Sequence, residues 1–190
     1  MDNMDQIDNT IQENKVSSFF KKVLILCLLG FLVHLAFIYY FPYLKMWMIA
    51  QKSEANNVIN LAFHRDVPNA NTRNVIRPSP DLMYSGCGYD VTYAPLAITA
   101  EIPETYWSIS FFSKNTDNFS TINDEQINGK KVKIYLFGPN SMATEIEDGL
   151  VIVSPSDKGL MLIRQFIGNG SQLESLYENQ ASLECYSLNN

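Results

Sequence analysis

The residues with the greatest capacity for chemistry lie between Arg77 and Val91, in the run RPSPDLMYSGCGYDV. Arg77 and Asp81 flank a Pro-Ser-Pro turn, whose prolines restrict the backbone and can hold the two charges close together. An arginine held in this way could receive an anion, with acidic and tyrosine side chains completing a pocket. The residues that we predict for such a pocket are Arg77, Asp81, Tyr84, Tyr89, Asp90, Tyr106 and Asn118.

The same stretch also has a purely structural interpretation, which we prefer. Arg77 and Asp81 would then neutralise each other as a clasp, and Asp90 would cap a turn through its side-chain oxygen. No residue in the run has the neighbours that activate a nucleophile. We therefore predict no catalytic residue.

Cys87 lies between two glycines, which can leave its thiol accessible to a substrate. A catalytic thiol needs a base, and the only histidine outside the apolar segment described below is His64, in a stretch without regular patterning. Cys87 and Cys185 are the only cysteines beyond that segment, so they could form a disulfide in an oxidising compartment. A disulfide and two free thiols stay open as alternatives.

Motifs for the common cofactors are missing from the sequence. It contains no P-loop, no GxGxxG, no HExxH and no CxxC, and its two histidines are too few for a His-based metal site. We predict no metal and no other cofactor. The formal charge of −6, from 20 acidic and 14 basic residues, also argues against binding to nucleic acid.

An apolar segment from Val23 to Phe41 precedes the part of the chain that must position these residues. The segment carries no formal charge. A helix of this length reaches roughly 28 Å, about the thickness of the hydrocarbon core of a bilayer. The segment is longer than the hydrophobic part of a secretory signal peptide, and no small-x-small cleavage site follows it. We predict an uncleaved signal anchor that crosses the lipid bilayer once, with an aromatic belt formed by Tyr39, Tyr40, Tyr43 and Trp47.

Lysines around the apolar segment indicate its orientation. Within about 15 residues of its ends, three lysines precede it and two follow it, in the order Lys15, Lys21, Lys22, Lys45 and Lys52. Because the side richer in basic residues stays in the cytoplasm, we predict a cytoplasmic N-terminus. Residues 42–190 would then lie outside the cytoplasm.

Composition divides the chain into three parts. Residues 1–18 are polar and acidic, as in a disordered tail. Residues 19–55 comprise the apolar segment and a helical stalk, and Pro42 is expected to kink or restart the helix between them. Residues 56–190 form one β-rich domain, which begins with an irregular segment rich in Asn and Pro up to residue 80.

Short alternating runs in the last part predict β-strands. From Trp107 to Phe111 apolar residues alternate with serines, which indicates a strand with one buried face. Residues 131–137 alternate in the same way, with lysines on the outer side. Further strands are predicted at residues 88–93, 96–101, 150–153 and 159–167.

One helix is expected near the end of the domain. Ser171 and Glu174 form a capping box, in which each side chain satisfies a free backbone N–H. Leu173, Leu176 and Tyr177 follow on one face of the helix. We predict a mainly β protein, with a single N-terminal transmembrane helix followed by a β-sandwich or jelly-roll-like domain that has one C-terminal helix.

An ordered set of short motifs is similar to a bacterial protein family. The motifs are, in order, residues 77–90, Ala94-Pro95-Leu96, Tyr106-Trp107-Ser108, Asn115-Thr116-Asp117-Asn118-Phe119, Gly138-Pro139, Ser154-Pro155-Ser156-Asp157 and Leu162-Ile163-Arg164. Together they resemble the family catalogued as domain of unknown function 1254. The resemblance covers about residues 55–190, which is the whole part after the stalk.

The resemblance implies a jelly-roll-like domain of a bacterial envelope protein without assignable catalytic residues. Longer relatives carry a second β domain after this one, catalogued as unknown function 1214. A short, membrane-anchored form would sit in the inner membrane and could meet that companion domain in a separate polypeptide.

Two functions are compatible with these observations. We prefer a membrane-tethered interaction module without enzymatic activity, for which a sheet edge or apolar patch should be exposed to a partner chain. The alternative is an enzyme, or half of one, that acts on a small molecule through residues 77–90. In that case Arg77, Asp81 and Tyr84 should converge on one cleft.

Overall fold

The computed structural model describes residues 2–69, 72, 78–127, 129–141, 146, 148–168 and 173–188, with side chains from Ser18 onward. The chain divides into two compact units, Met1–Pro42 and Tyr43–Asn190. The first unit is helical, and the second contains the end of the same helix together with the β domain.

Helix α1 (Asp2–Ala55) contains the apolar segment. Every side chain from Ser18 to Phe41 is exposed, and within Ser18–Ala55 one stretch is long and apolar enough to cross a membrane. A helix that is apolar on all sides is typical of a membrane span when no protein surrounds it. The helix also includes residues 2–18, which we predicted to be a disordered tail, and it continues through Pro42 without restarting there.

The strands after α1 form two sheets. Their bounds are β1 Ala62–His64, β2 Leu82–Asp90, β3 Leu96–Glu101, β4 Trp107–Phe112, β5 Asn118–Asn123, β6 Lys131–Phe137, β7 Leu150–Val153, β8 Lys158–Phe166 and β9 Glu184–Ser187. The five-stranded sheet has the order β1-β2-β8-β4-β5, and the four-stranded sheet has the order β7-β6-β3-β9. β6 and β7 are parallel, and the other described pairs are antiparallel.

The two sheets enclose one hydrophobic core. Alternate residues of both sheets enter it, among them Ile109 of β4 and Ile134 of β6, which are fully buried. Trp107, Tyr89 and Phe111 supply the largest aromatic side chains. The arrangement is a two-layer β sandwich, which confirms the predicted mainly β fold with an N-terminal apolar helix and a C-terminal helix.

The strand β4 departs from the prediction of one buried face. Ser108 and Ser110 are also buried, with exposed fractions of 2% and 1%. The reason is that β4 lies between β8 and β5, whose side chains cover its second face. Arg164 and Thr121 both donate hydrogen bonds to the Ser110 hydroxyl, at 3.4 and 3.3 Å.

Three strands were not predicted at all: β1, β5 and β9. The first lies in the segment that we expected to be irregular, and the other two are short and rich in polar residues. All three are at the edges of their sheets. An edge strand has less apolar surface to bury, so its sequence shows weaker alternation.

The C-terminal helix α2 spans Leu173–Ala181, and Ser171 of the predicted capping box lies outside the described residues. Its buried residues are Leu176 and Gln180, whereas Tyr177 is 40% exposed, so the predicted apolar stripe is wrong at Tyr177. The Gln180 amide donates to the Tyr84 carbonyl at 3.0 Å. This polar contact, and not a second apolar residue, fixes the last turn of α2 against β2.

Candidate functional site

The residues predicted to line a pocket are spread over the five-stranded sheet. Asp81 and Tyr106 lie at one end of it, on either side of β8. Their carbonyls accept hydrogen bonds from Ile167 and Phe166, both at 2.9 Å. Asp81 and Tyr106 are exposed, and Arg77 lies outside the described residues.

The two tyrosines of β2 point to opposite faces of the sheet. Tyr84 lies on the outer face, where its hydroxyl accepts a hydrogen bond from the Ser79 N–H at 2.9 Å, while Tyr89 enters the core. Five residues of strand place them about 17 Å apart. Asn118 begins β5, an edge strand that β8 and β4 separate from β2. The described members of the predicted pocket therefore do not meet in one cleft.

Tyr89 is a fully buried structural residue. Its hydroxyl donates to the Phe112 carbonyl at 3.0 Å and lies 3.0 Å from the Ser154 hydroxyl. Burial raises the pKa of Tyr89 above its usual value, although hydrogen bonds to Ser154 and Ser156 oppose this shift. A tyrosine paired in this way has no free donor for a substrate.

Asp90 caps a turn, as the structural interpretation of this stretch predicted. The Thr92 N–H donates to its carboxylate at 3.0 Å, and Lys158 Nζ lies 3.2 Å away. Lys158 also pairs with Glu54 in the last turn of α1. Burial alone would raise the pKa of Asp90, but the hydrogen bonds from Thr92 and Lys158 outweigh burial and hold that pKa below its usual value.

Two further groups have chemistry of their own. Cys87 and Cys185 are buried thiols on different sheets. In the part of the chain that the structure describes, no three His, Cys, Asp or Glu side chains are grouped so that they could hold a metal ion.

A more coherent surface lies on the outer face of the four-stranded sheet. Ile98, Ile134 and Cys185 enter the core, and Ile152 packs against it. Because side chains alternate along a strand, their neighbours point outward. The strand register aligns four of these neighbours in a row across the whole sheet, namely Tyr186, Ala97, Tyr135 and Val151. We call these four residues the outer row.

The outer row is covered in the middle and exposed at its ends. The two central residues are buried in a small cluster with Phe137, against which Ile146 and Leu188 pack. At the ends, 43% of Tyr186 and 36% of Val151 are exposed. The exposed apolar surface of this face is therefore concentrated at the sheet edges.

The edge strand β7 carries the larger part of that exposed surface. Val153 is 49% exposed on the same face as Val151, and Leu150, on the other face of the strand, is 40% exposed. One side of β7 pairs with β6, and no strand among the described residues pairs with its other side. Natural proteins usually protect an edge strand with charges, proline or a covering segment, but Leu150–Val153 contains neither a charge nor a proline. The edge is thus suited to pairing with another strand.

A charged groove of about 840 Å³ lies beside the outer row. Two ion pairs line it, Lys131–Glu101 at 3.0 Å and Lys133–Asp148 at 3.1 Å. Lys133 Nζ also lies 5.4 Å from the centre of the Tyr135 ring, and a hydrogen bond to Tyr135 together with the Asp148 contact raises the pKa of Lys133. An apolar edge next to paired charges resembles the centre and rim of a protein interface.

The local sequence pattern predicts β6 and β7 but not the surface that they form. The outer row depends on the register of four strands, which no local pattern shows. The available signal was the uncharged run LVIV after Asp148-Gly149.

Two solved structures have a similar fold. The VPA0106 protein from Vibrio parahaemolyticus matches with a TM-score of 0.62 at 13% identity, over 80% of this chain and 37% of that one. An uncharacterized protein from Burkholderia cenocepacia matches with a TM-score of 0.50 at 16% identity, over 80% of this chain and 41% of that one. The chain thus spans about two fifths of the length of each solved relative, and identities this low show the fold alone.

Sequence comparison identifies the family. None of the curated proteins matches this sequence. Residues 58–187, which include all the strands that the structure describes, match the family described as Protein of unknown function (DUF1254). This match covers more than half of the chain. The chain therefore belongs to the DUF1254 family of proteins of unknown function.

Proposed function

We propose that the protein is a membrane-anchored interaction module whose β domain docks a partner protein along strand β7. One observation carries the proposal: β7 is an apolar edge strand with Leu150, Val151 and Val153 exposed and no second neighbour among the described strands. Strand addition at such an edge gains backbone hydrogen bonds, while the exposed side chains bury apolar surface.

Helix α1 would hold the domain at the inner membrane of a bacterium, with its N-terminus in the cytoplasm and residues 42–190 in the periplasm. The lysine distribution and the exposed apolar stretch support this arrangement. We favour a retained anchor over a cleaved signal sequence because the apolar segment is longer than the hydrophobic part of a secretory signal peptide and no small-x-small cleavage site follows it.

The partner that we propose is a second β-rich protein, of the type catalogued as unknown function 1214. Both solved relatives carry the same fold in chains more than twice as long as the matched region, so the fold occurs there with further polypeptide. An edge strand of the partner would lie beside β7, with its apolar side chains against Val151 and Val153.

A matched pair of substitutions tests the proposal. Val153→Lys places a charge on the edge of the four-stranded sheet, and Thr121→Lys does the same on β5, an edge of the five-stranded sheet. Both positions are exposed, but Thr121→Lys also removes the hydrogen bond to Ser110, so thermal unfolding of each variant is measured first to establish that the domain stays folded. Each full-length variant is purified from native membranes in mild detergent, after crosslinking, and its companions are identified by mass spectrometry.

We expect one stoichiometric β-rich partner with the unmodified protein and with Thr121→Lys, and its loss with Val153→Lys. Recovery of all three proteins without a companion would contradict partner docking. Retention of the companion by Val153→Lys would show that the docking surface lies elsewhere.

A further inference from the structure

The two cysteines of the β domain meet at the interface between the sheets. Cys87 lies in β2 of the five-stranded sheet, and Cys185 lies in β9 of the four-stranded sheet. They are 0% and 4% exposed and belong to the same core cluster. The two thiols are close enough for Cys185 to contribute to a raised pKa of Cys87.

An asparagine beside this pair shows that the sheets approach closely there. The Asn60 amide donates to the Asp90 carbonyl and to the Ser187 hydroxyl, at 2.9 Å in each case. Asp90 lies three residues after Cys87 in β2, and Ser187 lies two residues after Cys185 in β9. Stacked sheets are usually about 10 Å apart, whereas a disulfide needs Cα atoms within about 7 Å of each other. A side chain as short as asparagine spans the gap at this edge, so the gap is narrow.

We propose that Cys87 and Cys185 are a modification site, at which a disulfide joins the two sheets in the mature protein. The inference rests on the proposed external location of residues 42–190, but it does not depend on a partner at β7. The bond would close a loop that contains most of the domain and would connect the edge strand β9 to the other layer of the sandwich.

The oxidant would be the disulfide of a thiol oxidoreductase in the external compartment. One cysteine, as its thiolate, attacks the oxidant's disulfide and forms a mixed disulfide. The other thiolate then displaces the oxidant. The two cysteines lose two electrons and two protons, and the oxidant leaves as a dithiol.

The order of folding and oxidation follows from burial. In the folded domain, burial and the neighbouring Cys185 raise the pKa of Cys87 far above its usual value, so a thiolate is scarce. The exchange must therefore occur before the sheets close on each other. Once formed, the disulfide is shielded from reductants.

Thiol counting in full-length protein from native membranes tests the pairing. The membranes are first acidified, which protonates free thiols and stops disulfide exchange. The protein is then denatured and labelled with maleimide-polyethylene glycol, either directly or after reduction. Cys27 lies in the exposed apolar part of α1 and serves as an internal reference. We expect one adduct without reduction and three after it.

Two variants identify which cysteines pair. Cys27→Ser should give no adduct without reduction and two after it, and Cys87→Ser should give two adducts under both conditions. Three adducts on the unmodified protein without reduction would overturn the disulfide. The proposed location is tested separately, by the accessibility of residues 42–190 to protease in intact spheroplasts. If the domain is accessible and the protein has three free thiols, the disulfide is overturned and the external location stands.

Discussion

The ring of Tyr135 lies directly against the backbone of Gly149, the residue that precedes β7. A Cβ atom at Gly149 would stand 2.7 Å from Tyr135 Cε2, and the backbone φ of Gly149 is 150°. Both facts favour glycine, since other residues rarely adopt this φ and any side chain would displace the ring. Through this contact, the residue before β7 packs against Tyr135, a central residue of the outer row.

Gly149→Ala should destabilise the domain and shift the Tyr135 ring. Gly129 is a matched control, because its φ is 145° and no atom lies within 4 Å of a Cβ placed there. Gly129→Ala should cost about 1 kcal/mol from backbone strain, and Gly149→Ala should cost about 1–2 kcal/mol more. Urea unfolding of residues 43–190 and of both variants measures the difference. Equal losses of stability would show that the contact with Tyr135 is unimportant.

Acid should weaken the domain through Asp90. Its pKa is depressed in the folded state, so its contribution is present above the usual carboxyl pKa of 3.8 and is lost as the pH falls through the lower, folded value. Asp90→Asn should remove this component, leaving a flatter stability profile below pH 4. Thermal unfolding midpoints between pH 7 and pH 2 would reveal the change. Asp124→Asn, at an exposed turn residue, should keep the slope of the unmodified protein.

Tyr89→Phe should lower the free energy of unfolding by about 1–3 kcal/mol, because the Phe112 carbonyl and the Ser154 hydroxyl would each lose a buried partner. The Tyr89 ring has room because it faces Gly159. A Cβ atom at Gly159 would overlap the tyrosine hydroxyl. Tyr106→Phe is the control, since Tyr106 is 46% exposed. Chemical denaturation compares the two. A loss no larger than that of the control would refute a structural role for the buried hydroxyl.

Local sequence patterns predicted the strands that bury the most apolar surface. Residues 131–137 and 96–101 have the bounds that the alternation indicated, because valine, isoleucine and leucine at every second position enter the core. Residues 150–153 also have the predicted bounds, although most of their side chains are exposed. The polar sequence NFSTIN of β5 has no such alternation, and its pairing with β4 comes from tertiary contacts. Strand β2 begins at Leu82, six residues earlier than predicted, because the glycines at 86 and 88 conceal its pattern.

The candidate site was less predictable than the fold. Residues 77–90 attracted attention because arginine, aspartate and tyrosine are chemically versatile, yet Tyr84 and Tyr89 point to opposite faces. The outer row brings together residues from 97 to 186, whose proximity is set by strand register. A short window of sequence does not show which residues become neighbours across a sheet. It also does not show which side of an edge strand is exposed.

The most direct test of the central claim is photo-crosslinking from β7 in living cells. A photoreactive phenylalanine replaces Val153 in one full-length variant and Thr121, on the edge of the other sheet, in a second. We expect one discrete crosslinked product from position 153, containing a second β-rich protein, which disappears when Val151→Lys is added. We expect no such product from position 121. Absence of any product at 153, or an equal product from both positions, would contradict docking at β7.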